Sequence, residues 1–444
     1  MSFAWQRSEE VVMGQTRELA KREAARSIPQ FIRNDDGSYA ASYRGLRLKS
    51  AFQPIFSFAH PQPVGYESLL RAMDSNNAPV SPVQLFYTNA ANGDDTQQLE
   101  RLSQALHIRN FSTHAPDDCW MFLNISPNEV VRHVRRGGDL GRIVNRYGVP
   151  AHRIVVEVVE SGVGDEMLLQ DVIQSLRSFG CLIAIDDFGA GHSNFNRIWA
   201  LKPDIVKLDR SITAAAARDG LMRRSLPNLS SLIHEAGAMV LLEGVETEME
   251  AIVGMEADID LYQGYLFGRP SNLCHRTAPG GTTPASMASS TRIRLDDNHK
   301  ARDDFMRAIR TQFDRSSALL SAGHSIDAAI AELIALPSVV RCWAVDAAGG
   351  QYTPNITTHR APEQSDPRFR PMTSQHGAAW HLRQYYRRAV AAPGEVQITR
   401  PYFSLTGAHI VVTLSIAVAR PSGLLVLCCD VVDSQRFPEG RTVN

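Results

Sequence analysis

The sequence predicts an α/β protein of two domains: a TIM-type (β/α)8 barrel followed by a smaller α+β domain. Three observations carry that prediction. The chain's 444 residues exceed what one hydrophobic core fills. Between residues 46 and 270, short apolar runs alternate with stretches of helical periodicity, at the length of a βα unit. Residues 271–294 then lose all periodicity and read as a linker of Ser, Thr, Gly, Pro and Ala. The expected boundaries are a helical extension over 1–45, the barrel over 46–270, the linker over 271–294 and the second domain over 295–444.

In order along the chain, Val11, Val12, Leu19 and Ile28 are spaced among charges as in a short amphipathic helix ending near Pro29. The barrel runs are Val64-Gly-Tyr-Glu67, Met121-Phe-Leu-Asn124, Ile154-Val-Val-Glu157, Leu182-Ile-Ala-Ile-Asp186-Asp187, Asp204-Ile-Val-Lys207-Leu-Asp209 and Met239-Val-Leu-Leu-Glu243-Gly-Val-Glu246. Helical stretches such as 168–179 and 226–236 separate them. Together they predict a parallel sheet wrapped by helices. Beyond the linker, Phe305, Met306, Ile309, Phe313 and Leu320 follow helical spacing, and a second helix is expected over 325–336. Strands follow at 339–345, 396–398, 410–418 and 424–431, the last two joined by a hairpin-like turn at 419–423.

Composition excludes some partners. With 46 basic and 47 acidic residues the formal charge is -1, which argues against holding a long nucleic acid or an anionic membrane by bulk charge. Residues 1–27 lack the apolar core of a signal peptide, and runs such as 410–419 are too short to span a bilayer. Six cysteines without CxxC spacing suit a reduced, cytoplasmic protein. His107, His114, His133 and His152 follow no metal-ligand spacing and are expected at the surface or as caps. Arg132, Arg135 and Arg136 are expected on a solvated helix face.

The chemistry lies at the strand ends. In a barrel, the C-terminal ends of the strands gather at one mouth, so Glu67, Asn124, Glu157, Asp186, Asp187, Lys207 and Glu243 would converge there. Carboxylates crowded together repel unless cations neutralise them, and an all-oxygen donor set suits Mg²⁺ or Mn²⁺ rather than zinc. The adjacent Asp186 and Asp187 could bridge two ions, the apparatus of in-line phosphodiester hydrolysis. Lys207 could hold an attacking water or developing charge, and Glu243 could accept a proton. An acid at a strand end is also a common helix cap, a reading that covers Asp209.

These residues resemble the EAL domain, the bacterial phosphodiesterase that linearises cyclic di-GMP, over about residues 48–270. The resemblance rests on Phe52-Gln-Pro-Ile55, Glu67-Ser-Leu-Leu-Arg71, Asn124-Ile-Ser, Glu157-Val-Val-Glu160, Asp186-Asp-Phe-Gly-Ala-Gly191, Lys202-Pro-Asp-Ile-Val-Lys207-Leu-Asp209, Glu243-Gly-Val-Glu246 and Gln263-Gly-Tyr-Leu-Phe-Gly-Arg-Pro270. It implies that Glu67, Asn124, Glu157 and Asp186 hold a first metal and that Asp186 and Asp187 serve a second. It also implies that Lys207 positions water, that Glu243 is the general base or its close partner, that Glu67 is catalytic as well as a ligand, and that Gln53, Arg71, Gln263 and Asp209 meet the substrate. Glu160 would steady the loop over 187–193, which serves the second metal and a homodimer contact, and Glu246 would support the site. The chain departs from the family at Ser68, Val159, His192 and Leu242, where alanine, threonine, tyrosine and alanine are usual.

The C-terminal domain resembles PAS-like or Cache-like sensory domains through Pro401-Tyr-Phe-Ser, Val412-Thr-Leu-Ser-Ile-Ala and Gly423-Leu-Leu-Val-Leu-Cys-Cys-Asp430-Val. Trp343, Tyr385, Tyr386, Arg400, Tyr402 and Asp430 are candidates to line a pocket for an unidentified small ligand, with core packing as the competing reading for the aromatics. The expected function is metal-dependent hydrolysis of cyclic di-GMP to pGpG, regulated by the C-terminal domain. The alternative is a catalytically weak cyclic di-GMP receptor.

Overall fold

The computed structural model describes residues 30–60, 62–89, 93–125, 139–159, 166–191, 195–274, 284–357, 379–404 and 409–432. The chain divides into two units, Met1–Leu295 and Asp296–Asn444.

The first unit is built on β1 (Ile32–Arg33), β2 (Tyr39–Tyr43), β3 (Leu46–Phe56), β4 (Gly65–Met73), β5 (Pro79–Val80), β6 (Trp120–Ile125), β7 (Ile154–Val159), β8 (Leu182–Phe188), β9 (Ile205–Leu208), β10 (Met239–Leu242) and β11 (Leu261–Gln263). Their order is β1-β2-β3-β11-β10-β9-β8-β7-β6-β4-β5, and an added β3–β4 pairing closes β3, β4 and β6 to β11 into an eight-stranded barrel. The barrel is mixed, which corrects the wholly parallel expectation. Strands β4 and β6 to β11 run parallel to their neighbours among themselves, whereas β3 is antiparallel to both β4 and β11. The physical reason is the connection: residues 57–64 can turn a hairpin but cannot carry the crossover that a parallel neighbour needs.

Side chains alternate across the barrel wall. Ile55, Phe122, Val155, Ala184, Ile205, Leu241 and Leu261 form one buried cluster, the floor of the barrel interior. The outward alternates, such as Leu123, Val156, Ile183, Val206 and Val240, pack with helix residues Val144, Leu176, Ala216 and Ile233 in the larger core. Gly65 lies at floor level on β4, where an added Cβ would come within 2.9 Å of the Phe122 ring. Its hydrogen is what lets that ring fill the layer.

Residues 30–45 are not helical, against the expectation for 1–45. Strands β1 and β2 form a hairpin that continues the sheet from β3. Asp36 Oδ1 accepts from Ser38 N at 3.0 Å and Ser38 Oγ at 2.6 Å, and Gly37 takes φ 82°. An Asp-Gly turn of this kind favours strand return over helix continuation. The amphipathic helix expected over 11–28 lies outside the described residues.

A helix runs over Pro284–Ser321, beginning inside the segment expected to be linker. Proline is well suited to a first helical turn, where its missing N–H costs nothing.

In the second unit, Ser325 caps the helix Ile326–Ile334 by accepting from Ala328 N. The sheet comprises β12 (Val339–Asp346), β13 (Ile356–Thr357), β14 (Gln397–Ile398), β15 (Tyr402–Ser404), β16 (His409–Arg420) and β17 (Gly423–Val431). All pairings are antiparallel, in the order β13-β12-β17-β16-β14 with β15 beside β16. The expected hairpin turn is present, with Arg420 opposite Gly423 at φ 111°. Ile309, Phe313, Leu320, Ile330 and Leu333 pack on one sheet face with Cys342, Leu414, Leu427 and Cys429. No helix among the described residues is long and apolar enough to cross a membrane.

Candidate active site

One layer above the barrel floor, the inward positions change from apolar to polar. Each parallel strand contributes its next inward residue, two beyond the floor position. Phe122 leads to Asn124, Val155 to Glu157, Ala184 to Asp186, Ile205 to Lys207, Leu241 to Glu243 and Leu261 to Gln263. Glu67 follows Gly65 on β4. On antiparallel β3 the same level is reached two residues earlier, at Gln53, which pairs directly with Glu67.

Lys207 is the centre of this layer, 1% exposed. Its Nζ lies 2.5 Å from Glu157 Oε1, 2.7 Å from Glu243 Oε1, 2.8 Å from Asp186 Oδ1 and 4.0 Å from Glu67 Oε1. Burial alone pushes the ammonium pKa down. The attraction of Glu157, Glu67, Glu243 and Asp186 outweighs it and holds the pKa well above the ordinary lysine value. Glu157 is fully buried, and desolvation raises its pKa well above the carboxylate range despite Lys207. Burial likewise raises Glu243 to about 7, with Lys207 opposing and Asp186 and Glu67 adding.

Asp187 reaches the site by a different device. The β8–β9 register shifts between Ile185 and Phe188, and Asp187 takes φ 56°. Aspartate tolerates this left-handed region better than most side chains. The irregularity brings ligand atoms of Asp186, Asp187 and Glu243 within 4.8 Å of one another. Burial, then Asp186, raises the pKa of Asp187.

Amides complete the layer. Gln263 Nε2 donates to Glu67 Oε2 at 2.5 Å and to Gln53 Oε1 at 3.3 Å, while Asn124 Nδ2 donates to Glu67 Oε1 at 3.2 Å. Gln53 Nε2 donates to Gly268 O at 3.3 Å. Among the described residues, Glu157 Oε2 and Gln263 Oε1 are buried without a hydrogen-bond partner. One lysine facing this many carboxylates leaves an excess of negative charge, and an unmatched buried carboxylate oxygen is costly. These oxygen-only donors therefore fit hard divalent cations. Asp186, Asp187 and Glu243 lie close enough together to share one.

Other expected site residues fall elsewhere. Asp209 is the N-cap of the helix Arg210–Arg218, its Oδ1 accepting from Ser211 N at 2.9 Å. Arg71 is exposed on β4 beyond the layer. Glu246 is exposed in the turn before the capping box of Thr247 and Glu250, and its N–H donates to Glu250. Glu160, His192, His133 and the Arg132, Arg135 and Arg136 cluster lie outside the described residues. His107 is buried, not at the surface: it bonds Ser103 Oγ at 3.0 Å and Ser50 Oγ at 2.8 Å.

Two glycines escaped sequence reasoning. A Cβ on Gly264 would meet the Val245 backbone at 2.0 to 2.5 Å, so Gly264 lets the segment after β11 pack on the Glu243–Glu246 turn. A Cβ on Gly244 would come within 2.4 Å of Arg210 Cβ. The signal was Gly beside each polar strand end, which two-residue alternation ignores.

In the second unit, Trp343, Tyr385 and Tyr386 pack in one apolar cluster with Val345, Ala417, Val426 and Cys428. Arg400 is exposed. Asp430 is buried, bonded to Arg341 Nε at 2.7 Å and to Thr413 Oγ1 at 2.6 Å, and Tyr402 shares a hydrogen bond with Thr413 at 2.6 Å. Arg341, absent from the sequence candidates, also stacks 4.7 Å over Trp343.

The EAL domain family profile matches residues 39–270. The probable cyclic di-GMP phosphodiesterase PdeD of Escherichia coli is 30% identical over 224 residues, 50% of this chain and 41% of that protein. The cyclic di-GMP phosphodiesterase RocR of Pseudomonas aeruginosa is 24% identical over 239 residues, 52% of this chain and 60% of that one. The matches span 34%, 41% and 20% of the lengths of the first three curated relatives. Among solved structures, the Bacillus subtilis YkuI protein, with an EAL domain and in complex with c-di-GMP and calcium, aligns at TM-score 0.69 and 19% identity. That alignment covers 87% of this chain and 96% of YkuI. Such identity establishes a shared fold.

Proposed function

The chain belongs to the EAL-domain family, and we propose that its barrel hydrolyses cyclic di-GMP to linear pGpG with two divalent cations, Mg²⁺ or Mn²⁺. The observation that carries this reading is the layer of carboxylates around Lys207, with more negative charge than one ammonium neutralises. The names of PdeD and RocR, which describe cyclic di-GMP phosphodiesterases, support the choice of substrate.

Glu67, Asn124, Glu157 and Asp186 would hold one cation, and Asp186 with Asp187 the other. Such ions polarise a phosphoryl oxygen and lower the pKa of water. Lys207 orients the attacking water and offsets charge developing on the phosphoryl oxygens. Glu243 takes the proton that the water loses as its oxygen bonds to phosphorus, and the leaving ribose oxygen is protonated as its bond to phosphorus breaks. Gln53, Gln263 and Arg71 hold the dinucleotide. The same reading makes the working form a homodimer and gives residues 296–444 a regulatory role.

The test is incubation of the full chain with cyclic di-GMP and Mg²⁺ or Mn²⁺, following pGpG by chromatography. Turnover should vanish on chelation and in Glu67→Ala and Glu243→Ala. Tight binding without product at any metal concentration would make the chain a receptor instead.

A further inference from the structure

The inner face of the β3–β4 hairpin continues past the carboxylate layer. Beyond Ser68, strand β4 no longer pairs with β6, whose register ends at Ser68↔Leu123, while its pairing with β3 runs on to Met73. The hairpin therefore rises above the barrel mouth. Its outer face is fixed by burial: Leu48, Leu70 and Ala72 pack with Leu99 and Leu106 of the helix Gly93–His114, and Ser50 bonds His107. The opposite face carries Gln53 and Glu67, then Ala51 and Leu69, then Lys49 and Arg71, each pair directly opposite across the two strands.

Lys49 and Arg71 are thus like charges at one register position on one face. Directly opposed like charges destabilise a sheet. Among the described residues, neither makes an ion pair with a carboxylate. Arg71 Nη1 donates to the neighbouring Leu70 O at 3.0 Å. Asp36, whose Oδ1 accepts from Ser38 N and Oγ, feels the charge of Lys49, which helps to lower its pKa, but forms no ion pair with it. Four residues of strand, about 13 Å, separate this pair from Glu67. Two cations without an ion pair among the described residues, on the face that continues above an acidic centre, suit a dianionic substrate of which only one phosphate is cleaved.

We infer that Lys49, paired across the hairpin with Arg71, is a substrate-binding residue that holds the uncleaved phosphate of the cyclic dinucleotide. The inference rests on the proposed function for its ligand, and it adds a contact at Lys49. It also gives the mouth a direction: the scissile phosphate lies over the carboxylate layer, the other over the hairpin.

The test compares full-length wild type, Lys49→Met and Lys49→Arg by isothermal titration with cyclic di-GMP and by steady-state kinetics, with thermal shifts in pyrophosphate and EDTA alongside. Lys49→Met should weaken cyclic di-GMP binding and raise KM about tenfold, and Lys49→Arg should restore most of both. Equal affinity and KM in Lys49→Met and wild type would overturn the inference. If wild type neither binds nor cleaves cyclic di-GMP, the proposed function fails. In that event, pyrophosphate stabilising wild type but not Lys49→Met would uphold the phosphate site, and no stabilisation of either would overturn it as well.

Discussion

Each unit sets a cation against buried carboxylates, fully buried at Lys207 and partly buried at Arg341, and the two centres differ in whether the charges balance. In the second unit, Arg341 meets Asp430 through Nε at 2.7 Å and Nη2 at 2.6 Å, and Thr413 takes the other carboxylate oxygen. One positive charge answers one negative charge, with hydroxyls filling the remainder. In the barrel, Lys207 lies within 2.8 Å of three carboxylates and 4.0 Å of a fourth. Glu157 Oε2 still lacks a partner there among the described residues. A closed pair is what a fold keeps when it needs only order. An unbalanced centre is tolerated when something positive arrives from outside, and the residual cost is tuned for that visitor.

Divalent cations should separate the two centres most sharply. Lys207→Met leaves four carboxylates facing one another, and removing one partner of a buried ion pair costs about 3–5 kcal/mol. In EDTA this variant should unfold well below wild type and show no turnover. Mg²⁺ or Mn²⁺ should then raise its Tm by more than it raises that of wild type, because the ions take over the lost positive charge. Arg341→Met strands Asp430 at a similar cost, yet metal should recover nothing. Adding Asp430→Leu should recover much of it, since replacing both members of a buried pair is often near neutral. Equal metal rescue of both single variants in thermal unfolding would erase the distinction.

How much of this was visible beforehand differs between the centres. The barrel's polar layer was legible because each ligand ends a local apolar run, so strand alternation alone puts Glu157, Asp186 and Lys207 on the inner face. The second centre was only half legible. Asp430 entered as a pocket candidate through the resemblance to sensory domains, but Arg341 lies 89 residues away, and cross-strand partners carry no local pattern. The antiparallel course of β3, by contrast, is local: the connection over residues 57–64 is too short for a crossover to a parallel β4. The β1–β2 hairpin was missed for a different reason: Asp36-Gly37 spells a turn, but the charged composition of residues 1–29 was extended across it.

Gly264→Ala probes the barrel centre through its backbone. The new Cβ would overlap Val245 N, C and O, and backbone cannot swing aside as a side chain can. The segment from Gln263 to Phe267 must move, and Val245 N, which donates to Gln263 O at 3.0 Å, must move with it. Overpacking of this kind costs about 3 kcal/mol at its upper range, and it should displace Glu243, two residues upstream of Val245. Activity should fall by more than the loss of folded protein explains, measured as kcat per folded molecule. A variant with wild-type kcat and Tm would show that the centre does not depend on this close approach.

A third buried polar group, His107, sharpens the contrast because it carries no charge to balance. Burial, with a smaller effect from Arg71, lowers its pKa to about 3, and its two ring nitrogens are occupied by Ser50 and Ser103. Unfolded, the imidazole returns to about 6.5. Between those values the unfolded chain binds the extra proton, so stability is present above pH 6.5 and is lost as pH falls toward 3. At pH 5 the loss is about 2 kcal/mol. Denaturant titrations at pH 7 and pH 5 should show wild type losing that much more than His107→Gln, with or without Mg²⁺. Because the carboxylates around Lys207 titrate alike in both proteins, the difference isolates His107. Parallel losses in the two proteins would mean that the imidazole is already protonated in the fold, and that Ser50 and Ser103 stabilise a charge rather than a neutral ring.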